Sequence, residues 1–127
     1  MTLVRTTLLS AALILGLAGA AHAQATLSTF PAKVPAGAAA VCVAANLSTS
    51  SQQVTVYLNT TEGREIKTCG YTRAWDPGRV CVTQERVNTT AFCKIDIEAP
   101  GDATSVRGSF IITDSAGNTI LLLEARP

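Results

Sequence analysis

The four cysteines of this chain, at positions 42, 69, 81 and 93, constrain its fold more than any other feature. Three of them lie in the stretch from Cys69 to Cys93, which also holds the only Trp and an Asp-Pro-Gly turn. An even number of cysteines in a small exported domain is typical of two disulfides. Zinc binding and a redox-active pair are the alternatives, but the spacings of 26, 11 and 11 intervening residues contain no Cys-x-x-Cys motif.

Four cysteines allow three connectivities, and the turn residues favour one of them. Asp76-Pro77-Gly78 lies between Cys69 and Cys81, so a single antiparallel turn would bring these two cysteines together. Cys42 and Cys93 lie within apolar strands, far apart in the sequence, which suits a bridge between two sheets. We therefore expect Cys69–Cys81 and Cys42–Cys93. The alternative pairs Cys42 with Cys69 and Cys81 with Cys93, because Cys81 and Cys93 also flank a hairpin.

The N-terminus has the pattern of an export signal. Arg5 supplies a positive charge, residues 8–20 form an apolar run, and Ala21-His22-Ala23 offers small residues at the right places before a cleavage site. The run is short for a membrane span, although a retained anchor is the alternative. We expect a signal peptide at 1–23 and a single domain at 24–127, located in the periplasm or secreted, without membrane association after cleavage.

Removal of residues 1–23 limits the chemistry available to the rest. The only His, His22, and the only Met, Met1, leave with the signal peptide. Residues 24–127 then lack the usual general base near neutral pH and the imidazole of a catalytic triad or a zinc site. Loss of Arg5 leaves nine basic and nine acidic side chains, without the cationic stripe that nucleic acids require. We expect no enzyme, no metal or other cofactor, and no nucleic-acid partner.

Alternation with period two, broken by turn residues at short intervals, predicts an all-β fold. The clearest strand is 53–59, where Val54, Val56 and Leu58 alternate with polar side chains. The expected strands are a short edge strand at 25–30, then 39–47, 53–59, one around Ile66, 79–86, 91–98, 105–113 and 118–125. We expect an antiparallel β-sandwich of about seven strands.

A set of short segments carries a family resemblance: VCVAANLS at 41–48, the Gly63 turn, CG at 69–70, PGRVC at 77–81, FCK at 92–94, VRGSF at 106–110 and LEAR at 123–126. Together they resemble small bacterial exported proteins with an immunoglobulin-like or fibronectin-III-like β-sandwich and no assigned activity. The resemblance implies an Ig-like sandwich with disulfides, and it implies no activity. Such proteins often have a further Cys pair around the final hairpin, where this chain has Ile111 and Leu121.

The loop between Cys69 and Cys81 is the first candidate binding site. Tyr71, Arg73 and Trp75 share the parity of Cys69, so an extended strand would present them on one face. These residue types dominate binding hot spots, and a disulfide would lower the entropic cost of ordering the loop. A protein inhibitor of a secreted enzyme would use such a loop as a rigid plug. The alternative is that Trp75 covers the edge of the core and the bridge.

The C-terminal hairpin is the second candidate. Phe110-Ile111-Ile112 and Ile120-Leu121-Leu122-Leu123 are apolar on both faces of their strands. A central strand pair covered by the N-terminal segment or by loops would explain this pattern. An exposed apolar strand that pairs with another protein is the alternative. We therefore expect a non-catalytic interaction or structural module with a protein partner.

Two further patterns favour ordinary surface roles. Asp96 and Glu98, or Glu62 and Glu65, are carboxylate pairs of the kind that hydrolyse glycosides, but alternation places the first pair on a solvated face. The Asn-x-Ser/Thr triplets at 46, 59 and 88 would accept glycans in a eukaryotic secretory pathway. The bacterial character of the signal peptide favours turn and strand-end roles for them.

Overall fold

The protein forms two antiparallel β-sheets in a computed structural model that describes residues 25–70 and 74–127. Within these two ranges the nine strands are β1 (Ala25–Ser28), β2 (Ala32–Lys33), β3 (Ala39–Asn46), β4 (Val54–Thr60), β5 (Glu65–Cys69), β6 (Val80–Arg86), β7 (Thr90–Ile97), β8 (Val106–Thr113) and β9 (Thr119–Glu124). Sheet A has the order β1-β7-β4-β5, with β2 also paired to β7. Sheet B has the order β6-β3-β8-β9. The predicted all-β class and two-sheet architecture are confirmed.

The number of strands exceeds the expected seven, partly because the N-terminal edge strand is split. Pro31 lacks an N–H and interrupts the pairing with β7. Before it, Ser28 lies opposite Lys94, and after it Ala32 lies opposite Ala91, so the register shifts by one residue. The strand expected at 25–30 therefore ends at Ser28 as β1, and β2 is an additional short strand that lies beyond the expected range.

Both predicted disulfides are present. Cys42–Cys93 joins β3 to β7 across the two sheets, with the Cα atoms 5.7 Å apart. Cys69–Cys81 joins β5 to β6, with the Cα atoms 6.5 Å apart. The reason given for the second bridge was wrong, because β5 and β6 are not a hairpin pair. They are edge strands of different sheets, and the chain between them crosses from one sheet to the other.

The core lies between the inward faces of the two sheets. Every second residue of β4 and β7 is buried, and burial of these apolar side chains drives the packing of the layers. The largest buried side chains include Trp75, Phe110, Leu58 and Ile95. A side chain on Gly108 would collide with Ile95 of the facing sheet, so glycine allows the close approach of the sheets here.

The two sheets are also joined along both of their edges. At one edge the Cys69–Cys81 bridge is accompanied by an ion pair between Lys67 and Glu85, whose charged atoms lie 3.6 Å apart. At the opposite edge Ser28 and Arg126 exchange two backbone hydrogen bonds of 2.8 and 2.9 Å. The residues available for recognition are therefore those on the outward faces, in the loops and along the open parts of the edges.

The predicted signal peptide at 1–23 lies outside the described residues and remains a prediction.

Candidate functional site

Trp75, the residue expected to anchor the first candidate loop, is completely buried in the core. Its backbone N–H donates to the carbonyl of Gln52 at 2.6 Å and its carbonyl accepts from Gln52 at 2.9 Å. An indole without exposed surface does not contact a partner, so the alternative in which Trp75 covers the core fits its position. Tyr71 and Arg73 lie outside the described residues, and their binding role remains a prediction.

Gly70 explains how the loop accommodates the indole. Its φ of +91° lies in the region that favours glycine, and a Cβ there would overlap the Trp75 ring. The indole therefore packs directly on the backbone beside Cys69. The Trp75 Nε1 has no hydrogen-bond partner among the described residues.

Asn46, the first of the three Asn-x-Ser/Thr positions, is a structural residue at the end of β3. Its Nδ2 donates to the carbonyls of Ser50 and Trp75, both at 2.9 Å, and its Oδ1 accepts from the hydroxyl of Ser48 at 2.7 Å. Because the side chain is fully buried and its donors are engaged, this amide is not accessible to a glycosylating enzyme. The strand-end role expected for Asn46 fits these contacts.

The outward face of sheet A is polar. Asp96 accepts a hydrogen bond from the Thr26 hydroxyl at 2.9 Å and pairs with Lys94, whose Nζ lies 3.1 Å from the carboxylate. The same Nζ lies 5.3 Å from the ring centre of Tyr57. These contacts place Asp96 in the solvated outer surface, as alternation predicted, and beside a lysine rather than beside a second carboxylate.

One shallow depression lies on this polar face. Its volume is about 280 Å³, and it is lined by Thr55, Tyr57, Glu65 and Thr68. Its lining residues include a single carboxylate, Glu65, which does not form an acid–base pair there.

The outward face of sheet B is apolar. Cys42 reaches inward to its disulfide partner, so Val41 and Val43 must point outward. Phe110 and Ile112 are buried in the core, so Ile111 between them also points outward. The aliphatic side chains exposed around them include Val82, 56% exposed, and Leu122, 55% exposed.

The pairing registers align these side chains in rows across the sheet. One row runs Gln84, Val41, Ile111, Leu122, and the adjacent row runs Val82, Val43, Ser109, Glu124. A third row contains Val80, Ala45 and Arg107. The result is a continuous aliphatic surface across all four strands, with charged residues at its margins. We call this surface the apolar face.

A cleft borders the apolar face along β9. It has a volume of about 840 Å³, and its lining includes Phe30, Leu122, Leu123 and Glu124. Phe30 is 82% exposed, the largest value among the exposed large hydrophobic residues of the described chain. Ser28 and Arg126, which exchange backbone hydrogen bonds, also line the cleft.

Two aspartates in the turns on either side of β8 have altered acidity. Hydrogen bonds from the Thr104 hydroxyl and backbone lower the pKa of Asp102 below its ordinary value. The backbone N–H of Asn118 and its side chain lower the pKa of Asp114 in the same way. Both carboxylates are exposed and stabilise turns, so neither is placed as a proton donor for catalysis.

Sequence analysis found part of this surface and missed the rest. The run from Ile120 to Leu123 was singled out as an apolar strand able to pair, and β9 does lie at an edge of sheet B. The contribution of Val80 and Val82 was missed, because alternation shows that they share a face without showing which way it points. The inward position of Cys42 is the signal that determines the outward face of the neighbouring strands.

The described ranges contain no cluster of His, Cys, Asp or Glu side chains suited to holding a metal ion. Within the same ranges there is no helix of the length and hydrophobicity needed to cross a membrane.

Comparisons with protein-family models, with curated proteins and with solved structures return no match to this chain.

Proposed function

We propose that this protein is a non-catalytic interaction module that acts in an oxidising compartment outside the cytoplasm, and that it binds a protein partner through the apolar face. The observation that carries the proposal is the composition of the two outward surfaces. Sheet A has a mainly polar outward surface, whereas sheet B presents valine, isoleucine or leucine at one or more outward positions of each of its four strands. Contiguous exposed aliphatic surface on a folded protein marks an interaction site.

The compartment follows from the sulfur chemistry. Two disulfides persist where the environment is oxidising, as in the periplasm or outside the cell. The N-terminal sequence has the charge, the apolar run and the small residues of an export signal, which supports export with cleavage after Ala23. Without His22, the remaining chain has no imidazole for catalysis at neutral pH, which supports a binding role.

An immunoglobulin-like relationship is also part of the proposal. The pairs β3–β6 and β4–β7, with a disulfide from β3 to β7, correspond to the B–E and C–F pairs and the B–F bridge of an Ig sandwich. The arrangement departs from that pattern at both termini. Here β1 adds to β7, and the final hairpin adds to β3, in the sheet opposite to the one that the last Ig strand joins.

Site-specific photo-crosslinking tests the proposed surface. A photoreactive amino acid is placed at Val82 on the apolar face, and at Thr55 on the polar face as the matched control. A third position, Arg73, represents the inhibitor hypothesis, in which the loop between Cys69 and Cys81 inserts into an enzyme. The three variants are produced in the source organism with the native leader, and the covalent adducts are compared.

We expect adducts with another protein from Val82 and none from Thr55. Adducts from Arg73 alone would replace the proposal with the inhibitor hypothesis. Equal yields from Val82 and Thr55, or adducts from neither position, would contradict the proposal that the apolar face binds a protein.

A further inference from the structure

The open edge of sheet B lies along β9. Among the described residues, this strand pairs with β8 on one side, and on the other side the two backbone bonds between Ser28 and Arg126 form just beyond its end. The rest of that side faces the cleft. Six large hydrophobic residues are exposed in the described chain, and three of them, Phe30, Ile120 and Leu122, lie here.

The backbone along this edge is arranged to accept another strand. Arg126 bonds to Ser28 on the side away from β8, and backbone groups point to alternate sides of a strand. The N–H and C=O groups of Glu124 and Leu122 therefore point to the same open side as those of Arg126. A register irregularity lies next to Ile120, so the regular part of the edge runs from Leu121 to Glu124.

Edge strands normally carry charge, proline or a covering element, because an open edge pairs with other chains. The other edge of sheet B is protected in this way, since β6 has its disulfide and the ion pair of Glu85 with Lys67. In β9, four consecutive aliphatic residues, 120–123, precede its one charged residue, Glu124. An unprotected edge of this composition in a native protein is expected to pair with another strand.

We infer that β9 pairs antiparallel with β9 of a second copy of this chain, across a two-fold axis at Leu122. This inference rests on the proposed function and extends it. Pairing of two copies joins their sheets B into one eight-stranded sheet, and the two apolar faces then form one surface of twice the size. Each Leu122 then lies opposite its counterpart. Each Glu124 comes opposite Ile120 of the other copy, where the register irregularity ends the regular pairing. Since Glu124 and Phe30 line the same cleft, that Ile120 also covers Phe30.

Charge and area both support this register. An axis at Glu124 would place two carboxylates opposite each other, whereas the axis at Leu122 opposes no like charges. Phe30, Ile120 and Leu122 together offer roughly 250–300 Å² of apolar surface per copy, taking about 200 Å² for an aromatic and about 100 Å² for an aliphatic side chain. With the strand backbones and flanking side chains of both copies, the interface is on the order of 1,000 Å², the lower limit for a specific complex. A reversible dimer of micromolar affinity is expected.

Sedimentation of the purified protein over a micromolar concentration series measures this equilibrium. The wild type should shift from monomer to dimer. Leu122→Lys should weaken the dimer at least about tenfold, because a lysine on an open strand edge opposes pairing. Val82→Lys is the matched control, since it also replaces an aliphatic residue by lysine at nearly equal exposure on the same face, but on the opposite edge strand. It should leave the dimer unchanged.

Cysteine crosslinking tests the register. In a hydrogen-bonded antiparallel pair the Cα atoms lie about 5.5 Å apart, within the range of a disulfide. Mild oxidation should therefore join two copies of Leu122→Cys and should not join two copies of Ile120→Cys. A wild type that stays monomeric throughout, equal losses from the two lysine variants, or crosslinking through Ile120→Cys instead would each overturn the inference.

The two proposals fail separately. A monomeric protein that still forms adducts with another protein from Val82 would overturn the dimer and leave the interaction module standing. A dimer that forms no such adducts from Val82 would overturn the interaction module and leave the dimer standing.

Discussion

The outward faces of the two sheets are built by the same alternation and yet differ in chemistry. On sheet A, Asp96 is held by Thr26 and Lys94, and the Lys94 ammonium lies over the ring of Tyr57. On sheet B the corresponding outward positions hold Val43 and Ile111, with other aliphatic side chains around them. The first surface is mainly polar and the second is largely aliphatic.

This difference is not required by the fold. A sandwich in water needs only the inward face of each sheet to be apolar, and sheet A meets that condition with alternating burial in β4 and β7. The aliphatic residues on the outward face of sheet B are not needed for that packing, and Val82 and Leu122 remain more than half exposed, although Val41 between them is only 8% exposed. An association that covers them would explain their presence. The apolar face is therefore the proposed binding surface in preference to Trp75, which is buried.

The largest expected effect comes from the bridge that fixes which side chains of β3 and β7 point outward. Replacing Cys42 and Cys93 by Ala should lower the free energy of unfolding by about 4 kcal/mol, and replacing Cys69 and Cys81 by about 3 kcal/mol, on the chain-entropy model. The difference arises because the first bridge spans 51 residues and the second 12. Urea unfolding of both double variants measures it, and a larger loss from the edge bridge would contradict the central role of Cys42–Cys93.

A smaller effect separates the inward and outward faces within one strand. Ile112 of β8 is almost fully buried, and Ile112→Thr should cost about 3 kcal/mol because it places a hydroxyl in the core and leaves a void. Ile111→Thr makes the identical change on the apolar face and should cost less than about 1 kcal/mol. Both residues are β-branched, so strand propensity is unchanged. Equal losses in thermal or urea unfolding would show that Ile111 is a core residue and that the apolar face is misassigned.

The class of fold and the presence of two disulfides were predictable, because strand periodicity and an even number of cysteines carry that information without knowledge of topology. The pairing of Cys69 with Cys81 was predicted correctly for a wrong reason, since β5 and β6 are edge strands of different sheets. Which face of each strand points to the core was not predictable in the same way. Val41 and Val43 in β3 show the same spacing as Val54 and Val56 in β4. The first pair nevertheless points to the outward face, where neighbours leave Val41 only 8% exposed, and the second pair packs in the core between the sheets.

The candidate site shows the same limit. Residues 120–123 stood out as an apolar run, but the apolar face also needs β6 beside β3, and these strands are distant in sequence. The position of Trp75 depends on its bridge to Gln52 and on the space left by Gly70, which are long-range contacts. Local pattern therefore identified one strand of the apolar face, and it left two alternatives for Trp75, of which the core-covering one fits its burial.

The smallest effect concerns the turns that hold β8 within the apolar sheet. Because the pKa of Asp114 is lowered in the folded protein, its contribution to stability is present above the ordinary carboxyl pKa, near 3.8, and is lost as the pH falls through the lowered value. Asp102 behaves in the same direction. The carboxyl resonances should titrate below the ordinary range, and Asp114→Asn should reduce the fall in thermal stability between pH 5 and pH 2. An Asp114 that titrates at or above its ordinary pKa would show that the hydrogen bonds from Asn118 do not form in solution. The β8–β9 hairpin, which carries the open edge of sheet B, would then be less ordered than the hydrogen-bonded outward face of sheet A.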